Sequence, residues 1–254
     1  MTDAEIRDAS TVVLLRDGTD GLSVWLLTRV TEMAFAAGMA VFPGGRVDAD
    51  DAELPFVAGS DTQAAARFDC SPAQARALLG AAVREVFEET GVLLTAPSAD
   101  LSGARSDVEA GRVSFGELLR ANSLRIDADA VQPWSRWVTP RGEVRRYDTR
   151  FFVAALPDDA QAQDVTTEAS SAGWFAVTAA LEAAQRGELG MLPPTIMTLA
   201  SLAGYDSVAA VLAAAGSRTL EAVRPTVART DDGGYLASLP DGTSFELPRS
   251  LFPA

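Results

Sequence analysis

Apolar and polar positions change their period several times along this chain, and each change predicts an element. Ser10 to Arg16 (STVVLLR) and Leu22 to Arg29 (LSVWLLTR) are rich in β-branched and large apolar residues. They flank Asp17-Gly18-Thr19-Asp20-Gly21, so they read as two strands of a hairpin. Residues 30 to 38 read as loop, and Met39 to Phe42 as a short strand entering Gly44-Gly45. Val131 to Val138 and Val144 to Leu156 read as strands around the turn Thr139-Pro140-Arg141-Gly142. Helical spacing takes over from Pro72 to Thr90. Ser71 is the expected N-cap, Pro72 the first turn, Gln74 the reciprocal partner of the capping box and Gly91 the left-handed terminator. Ser114 to Asn122 carries a second capping box, Ser114 with Glu117, and Thr178 to Arg186 reads as a further helix. Residues 48 to 70, rich in acids, Ala and small polar residues, read either as an exposed loop or as a lid over a site, and 96 to 112 read as loop.

After Pro193-Pro194, read as a boundary, Thr195 to Ala203 and Asp206 to Ala215 form a helical pair. Val223 to Ala228 and Tyr235 to Leu239 then pair around Asp231-Asp232-Gly233-Gly234. This divides the chain into a domain over 1–190, with an insertion at about 52–70, and a subdomain over 191–254 packed on that core or on a second protomer.

Chemistry concentrates in Ala81 to Val92, AAVREVFEETGV. A helix turns about 100° per residue, so Glu85, Glu88 and Glu89 share one face, while Val83, Val86, Phe87 and Thr90 take the other. Ala81 and Ala82 fall on the acidic side, where small side chains leave room for a ligand. Three carboxylates this close repel one another, and an oxygen-rich set of this kind suits Mg²⁺ or Mn²⁺. Arg84, four residues before Glu88, is placed to hold that carboxylate. Taken alone, the acidic triplet also suits a solvated helix face.

Composition narrows the chemistry. The 254 residues carry 35 acidic and 21 basic side chains for a net charge of −14, which argues against nucleic acid or an anionic membrane as a partner. Every basic residue is arginine. There is no histidine, so triad hydrolysis and histidine metal sites are excluded, and acid–base work falls to carboxylates, Tyr, Arg or metal-bound water. Cys70 is the single cysteine and suits a reducing cytoplasm. The start MTDAEIRDAS does not read as a signal peptide, and no apolar run approaches the roughly 20 residues a membrane helix needs.

Phe42-Pro43-Gly44-Gly45, Asp51 with five residues between it and Gly45, and Arg84 to Val92 (REVFEETGV) together resemble the Nudix box, G-x5-E-x7-REUxEExGU with U apolar. The second half matches at every fixed position. Asp51 stands where the family has Glu, and residues 52 to 83 lengthen the interval before Arg84. A similar interruption occurs in the branch that includes the peroxisomal coenzyme A diphosphatases. Gly38-x3-FPGG, Leu26-Leu27-Thr28-Arg29 and WSRWVTP…RRYDTRFFVAAL are similar to segments of the same branch, with Ala34 where a further Arg is found.

The resemblance implies an α/β fold, a Nudix-type α/β/α sandwich with a mixed β-sheet, an insertion before the catalytic helix and a small C-terminal extension. It implies metal-dependent hydrolysis of a diphosphate linkage in a nucleoside-diphosphate-type small molecule, including coenzyme A or acyl-coenzyme A, by a homodimer. The alternative is a nucleotide-binding module that has lost hydrolysis. On this reading Glu85, Glu88, Glu89 and the Gly45 carbonyl ligate metal, and Arg84 orients them. Glu168, ahead of Gly173-Trp174-Phe175, is either a further ligand or base or a loop acid; the choice of base among it and the helix glutamates stays open. Forked guanidinium groups suit phosphate, and Arg29, Arg46, Arg136 and Arg150 are the candidate substrate contacts.

Overall fold

The computed structural model describes residues 4–29, 38–58, 62–163, 169–218, 220–231 and 233–247. Strands β1 (Ile6–Gly18) and β2 (Gly21–Arg29) form the expected hairpin, and β3 (Ala40–Val41) and β4 (Gly44–Arg46) follow. Helices α1 (Thr62–Phe68) and α2 (Pro72–Thr90) come next, then β5 (Thr95–Ala96), α3 (Arg105–Glu109), α4 (Phe115–Ala121) and β6 (Arg125–Ile126). Strands β7 (Gln132–Val138), β8 (Arg146–Ala155) and β9 (Ala169–Ala176) precede helices α5 (Val177–Gln185), α6 (Pro193–Leu202) and α7 (Val208–Ala215). Strands β10 (Ala222–Val223), β11 (Thr226–Arg229), β12 (Tyr235–Ser238) and β13 (Ser244–Leu247) end the described chain.

Among the described residues the main sheet runs β10-β7-β8-β1-β2-β3, with β4 paired to β1 and β9 to β2. It is mixed: β1 is antiparallel to β2 and β4 but parallel to β8. Alternation along β1 builds both sides of the molecule, because successive side chains point to opposite faces. Val12 and Leu14 face a core shared with Leu78, Leu79, Val83, Val86 and Phe87 of α2. Val13 and Leu15 face a second core completed by Val177 and Ala180 of α5, Leu199 and Leu202 of α6, and Val211 and Ala215 of α7. The result is the α/β/α sandwich the resemblance implied.

Helix α2 has the predicted bounds. Ser71 Oγ accepts from the Gln74 N–H at 3.2 Å, and Gly91 closes the helix at φ 74°, its N–H bonded to Phe87 O at 2.9 Å. The Gln74 side chain does not complete a capping box; its Nε2 donates to Asp8 Oδ2 at 2.7 Å. Ala81 and Ala82, expected to keep the acidic face open, are fully buried.

The insertion differs most from expectation. Leu54, Phe56, Ala64, Ala65 and Phe68 are buried in the α2-side core, and the Phe68 ring meets Phe152 edge to face at 5.5 Å. Arg67 of α1 donates to Pro133 O at 2.8 Å and to Ala215 O, tying the insertion to β7 and α7. Residues expected as an exposed loop are therefore structural. The 96–112 loop likewise contains α3 and a 3-10 turn over Ser102–Ala104.

Beyond residue 190 the described chain continues as two helices and four strands. Pro193 and Pro194 occupy the first turn of α6, where the missing N–H costs nothing. Helices α6 and α7 complete the second core, and β10 lies parallel to β7 as a sheet edge. Strands β11–β13 form a separate sheet, as β5 and β6 do, with Thr230 N–H bonded to Gly234 O at 3.0 Å across the predicted turn.

Candidate functional site

Three segments meet at the acidic end of α2: the Gly44-Gly45 turn, the 3-10 helix Ala49–Glu53, and α2 from Arg84 to Glu89. Glycines permit the approach. A Cβ on Gly44 would collide with Ser10 O of β1, one on Gly45 with the Glu85 carboxylate, and one on Gly80 with Asp51 O. Ser10, buried in β1, donates its Oγ proton to Leu78 O at 2.6 Å and fixes the helix against the sheet.

Arg84 lies at the centre. Its Nε donates to Asp51 Oδ1 at 2.9 Å and its Nη2 to Asp51 Oδ2 at 3.1 Å, a two-pronged pair. Nη2 also reaches Arg46 O at 3.1 Å. Nη1 is shared by Glu85 Oε1 at 2.8 Å and Glu88 Oε2 at 3.3 Å. Burial works against the Arg84 charge, but the Asp51 hydrogen bond and the charges of Glu85, Asp51 and Glu88 outweigh it, so its pKa is raised. Asp51 is 2% exposed and also accepts the Asp48 N–H at 2.8 Å. It thereby pins the loop to the helix through Arg84, a role the sequence left open.

The three glutamates are held differently. Glu89 is buried, and its Oε2 accepts the Gly44 N–H at 2.9 Å. Glu85 packs against Gly45. The Glu88 carboxyl is pushed up to about 7 from its ordinary 4.5: burial is the largest cause, Arg84 opposes it, and the Glu85 and Asp51 charges add to it. Arg105 of α3, which the sequence gave no reason to single out, is buried and donates from Nη1 to Glu88 O at 2.8 Å and to Glu109 Oε2 at 2.8 Å. It steadies the helical turn that carries Glu88 and Glu89.

The donors fit a hard divalent cation, being carboxylates and a backbone carbonyl with more negative charge than Arg84 neutralises. In this arrangement Arg84 Nη1 bridges Glu85 and Glu88, and no three acids among the described residues are grouped as a metal cage. An ion between those two carboxylates would displace Nη1, leaving Arg84 anchored by Asp51.

The arginines separate into two kinds. Arg46 borders the site, its side chain 62% exposed and paired to Asp48 at 3.1 Å. Arg136 and Arg150, expected at substrate phosphate, are committed elsewhere. Arg136 holds Asp148 with two bonds at 2.9 and 2.6 Å. Arg150 is 2% exposed and pairs with Asp8 at 2.6 Å and Asp148 at 3.2 Å. Alternation brought both to one face, but their guanidinium groups are consumed in an internal ion-pair network. Arg29 ends β2, its N–H bonded to Met39 O at 3.1 Å and its carbonyl to Gly38 N–H at 3.0 Å. Glu168 lies outside the described residues.

The family model described as the NUDT19 Nudix domain matches residues 62–202, more than half of the chain. Putative nudix hydrolase 7 of Caenorhabditis elegans is 29% identical over 200 residues, covering 76% of this chain and 59% of its own. The human acyl-coenzyme A diphosphatase NUDT19 is 27% identical over 262 residues, covering 84% of this chain and 70% of its own. The crystal structure of a Nudix hydrolase from Alicyclobacillus acidocaldarius superposes with a TM-score of 0.69 at 28% identity, covering 83% of this chain and 96% of that one. The chain thus spans 59% of the length of the first of these curated relatives and 70% of the second.

Proposed function

The chain belongs to the Nudix hydrolase family, through its NUDT19 Nudix domain, and from that membership we propose that it hydrolyses a phosphoanhydride bond in a nucleoside-diphosphate-linked small molecule, with coenzyme A or acyl-coenzyme A as the leading substrate. The observation that carries this is the cluster on α2: Glu85, Glu88 and Glu89 gathered at a side-chain-free Gly turn, with Arg84 locked by Asp51. The relatives' printed activity supports the choice of substrate.

Glu85, Glu88, Glu89 and the Gly45 carbonyl would hold Mg²⁺ or Mn²⁺. When bound, such an ion neutralises the two phosphates and makes a nucleophile of its water at neutral pH. The chain supplies placement. Asp51 fixes two nitrogens of Arg84, so only Nη1 addresses the glutamates, and it can change partner without releasing the loop. The Gly44 N–H keeps Glu89 Oε2 turned toward the turn. Arg46 presents an exposed guanidinium at the rim, where a phosphate oxygen would exchange for Asp48.

The test is phosphate or nucleotide release with Mg²⁺ or Mn²⁺ from a panel of coenzyme A, acyl-coenzyme A, sugar nucleotides and dinucleotides. Turnover of coenzyme A species above the others is expected. No turnover of any panel member with either metal would overturn the reading in favour of a binding module. A homodimer in a reducing cytoplasm completes the proposal; sedimentation showing only a species near 26.6 kDa would reject the dimer. Among the described residues no helix is long and apolar enough to cross a membrane.

A further inference from the structure

The last turn of α2 carries Glu88 and Glu89, and the helix does not hold it alone. Gly91 N–H closes the final helical bond, to Phe87 O at 2.9 Å. The next bond of the ladder would join Val92 N–H to Glu88 O. That N–H turns aside to Thr90 Oγ1 at 3.1 Å. Glu88 O is therefore one of the carbonyls that a helix end leaves without an internal partner. It belongs to the peptide that joins the two glutamates. Arg105 Nη1, from α3, takes the Val92 N–H's place at 2.8 Å.

The surroundings of Arg105 make this contact rigid. Arg105 is 8% exposed, so water competes little for the bond. Val108, one turn further along α3, is buried in the α2-side core and anchors α3 there. The same Nη1 pairs with Glu109 Oε2 at 2.8 Å. Arg105 thus delivers a hydrogen bond to the acidic end of α2 with its charge already balanced. An unbalanced guanidinium at that place would repel a divalent cation. We infer that Arg105, clamped by Glu109, is a positioning residue for the metal site: it fixes the peptide from which Glu88 and Glu89 project and thereby sets the affinity for Mg²⁺ or Mn²⁺.

This role rests on the hydrolase reading, but its test has a readout independent of turnover. Mn²⁺ is titrated into metal-free wild type, Arg105→Met, Arg105→Lys, Glu109→Gln and Arg112→Gln, with the free ion followed by electron paramagnetic resonance. Charge and position predict opposite signs for Arg105→Met. Removal of a cation by itself would tighten Mn²⁺ binding. Loss of a group that holds metal ligands in place typically weakens it about 10–100-fold. Arg105→Met should weaken binding about tenfold or more. Arg105→Lys should recover most of that loss, since an ammonium can make both bonds from one nitrogen. Arg112 pairs with Asp107 of α3 in an exposed setting, and Arg112→Gln should bind Mn²⁺ like the wild type. If Arg105→Met does not fold, Glu109→Gln decides. It should bind Mn²⁺ more weakly than the wild type even at about 1 M KCl, where exposed charges are screened beyond about 3 Å. Folded Arg105→Met that binds Mn²⁺ as tightly as the wild type or tighter, an equal loss in Arg112→Gln, or a Glu109→Gln deficit that salt abolishes would each overturn the role. Wild-type protein that binds no Mn²⁺ would overturn it together with the metal site. Binding that weakens as expected in a protein that cleaves no diphosphate would keep the role and reject the hydrolase.

Discussion

Arg84 and Arg150 each sit within a cluster of carboxylates, and the two clusters differ in charge balance. Arg150 and Arg136 face Asp8 and Asp148, two cations against two anions, all partly or fully withdrawn from water. Arg84 faces Asp51, Glu85 and Glu88, with Glu89 one turn on and buried against Gly44. The first cluster is complete in itself, while the second keeps an anionic remainder. Burial first, and the charges of Glu85 and Asp51 after it, raise the Glu88 carboxyl against the pull of Arg84. The same arginine–carboxylate chemistry thus gives a girder in one place and an unfinished cation site in the other.

The largest effect separates the clusters by stability. Arg150→Met leaves Asp8 and Asp148 short of a cation in a buried setting, and breaking a buried pair costs about 3–5 kcal/mol. Chemical denaturation should find that loss, with turnover per folded molecule unchanged. Wild-type stability in this variant would mean the network is not a girder.

Next is the rate. Glu88→Gln and Glu89→Gln keep size and remove one charge each from the cluster with the surplus. Loss of one electrostatic contact to a transition state typically costs about 10²–10³ in rate. Steady-state assays with Mn²⁺ should show this for both variants, with folding intact. Wild-type turnover in both would make the acidic face a solvated helix surface.

The difference between clusters also explains what the sequence disclosed. The helix was legible because its signals are local: Ser71, Pro72, Gly91 and the spacing of the three glutamates lie within one element. The strand over Ser10 to Arg16 was legible from its β-branched and apolar run, but only the folded sheet sends Val12 and Leu14 to one core and Val13 and Leu15 to the other. The insertion was not, because Leu54, Phe56 and Phe68 lie scattered among acids and alanines without a period, and only tertiary partners such as Phe152 make them core. Gln74 carried a capping signal, yet Asp8, distant in sequence, captures its side chain. Arg136 and Arg150 carried a phosphate signal, and Asp148, two residues before Arg150, takes both. Asp51 was visible as a departure from the family box, but its grip on Arg84 required the loop to be seen folded over Gly80.

Asp51→Asn probes the hinge between the clusters' two behaviours, and a smaller effect is expected. The buried side chain keeps one acceptor for Arg84 and loses its charge, a change of about 1–3 kcal/mol in stability. Arg84 Nη1 should then hold the glutamates less well, so the concentration of Mn²⁺ giving half-maximal activity should shift while Arg150→Met leaves it in place. An unchanged metal requirement in Asp51→Asn would detach Arg84 from the site's function.

The smallest effect is the pH dependence of the metal-free protein. In the folded state the Glu88 carboxyl titrates at about 7, against an ordinary 4.5. Between those values the folded chain holds a proton that the unfolded chain has released, so stability falls as pH rises through this window. Full stability from this group is present below about 4.5 and gone above about 7, the opposite of a salt-bridged carboxylate. Melting in the presence of a chelator should therefore decline from pH 5 to pH 8 by more in the wild type than in Glu88→Gln, which cannot ionise. Added Mn²⁺ should remove most of the wild-type decline, since a cation stabilises the anion that burial penalises. The balanced cluster offers the control: Asp148→Asn loses a partner of Arg136 and Arg150 and should lower the whole curve without flattening it. Parallel wild-type and Glu88→Gln curves across the window would mean that the surplus charge around Arg84 is solvated, and the contrast between the two arginines would reduce to depth of burial.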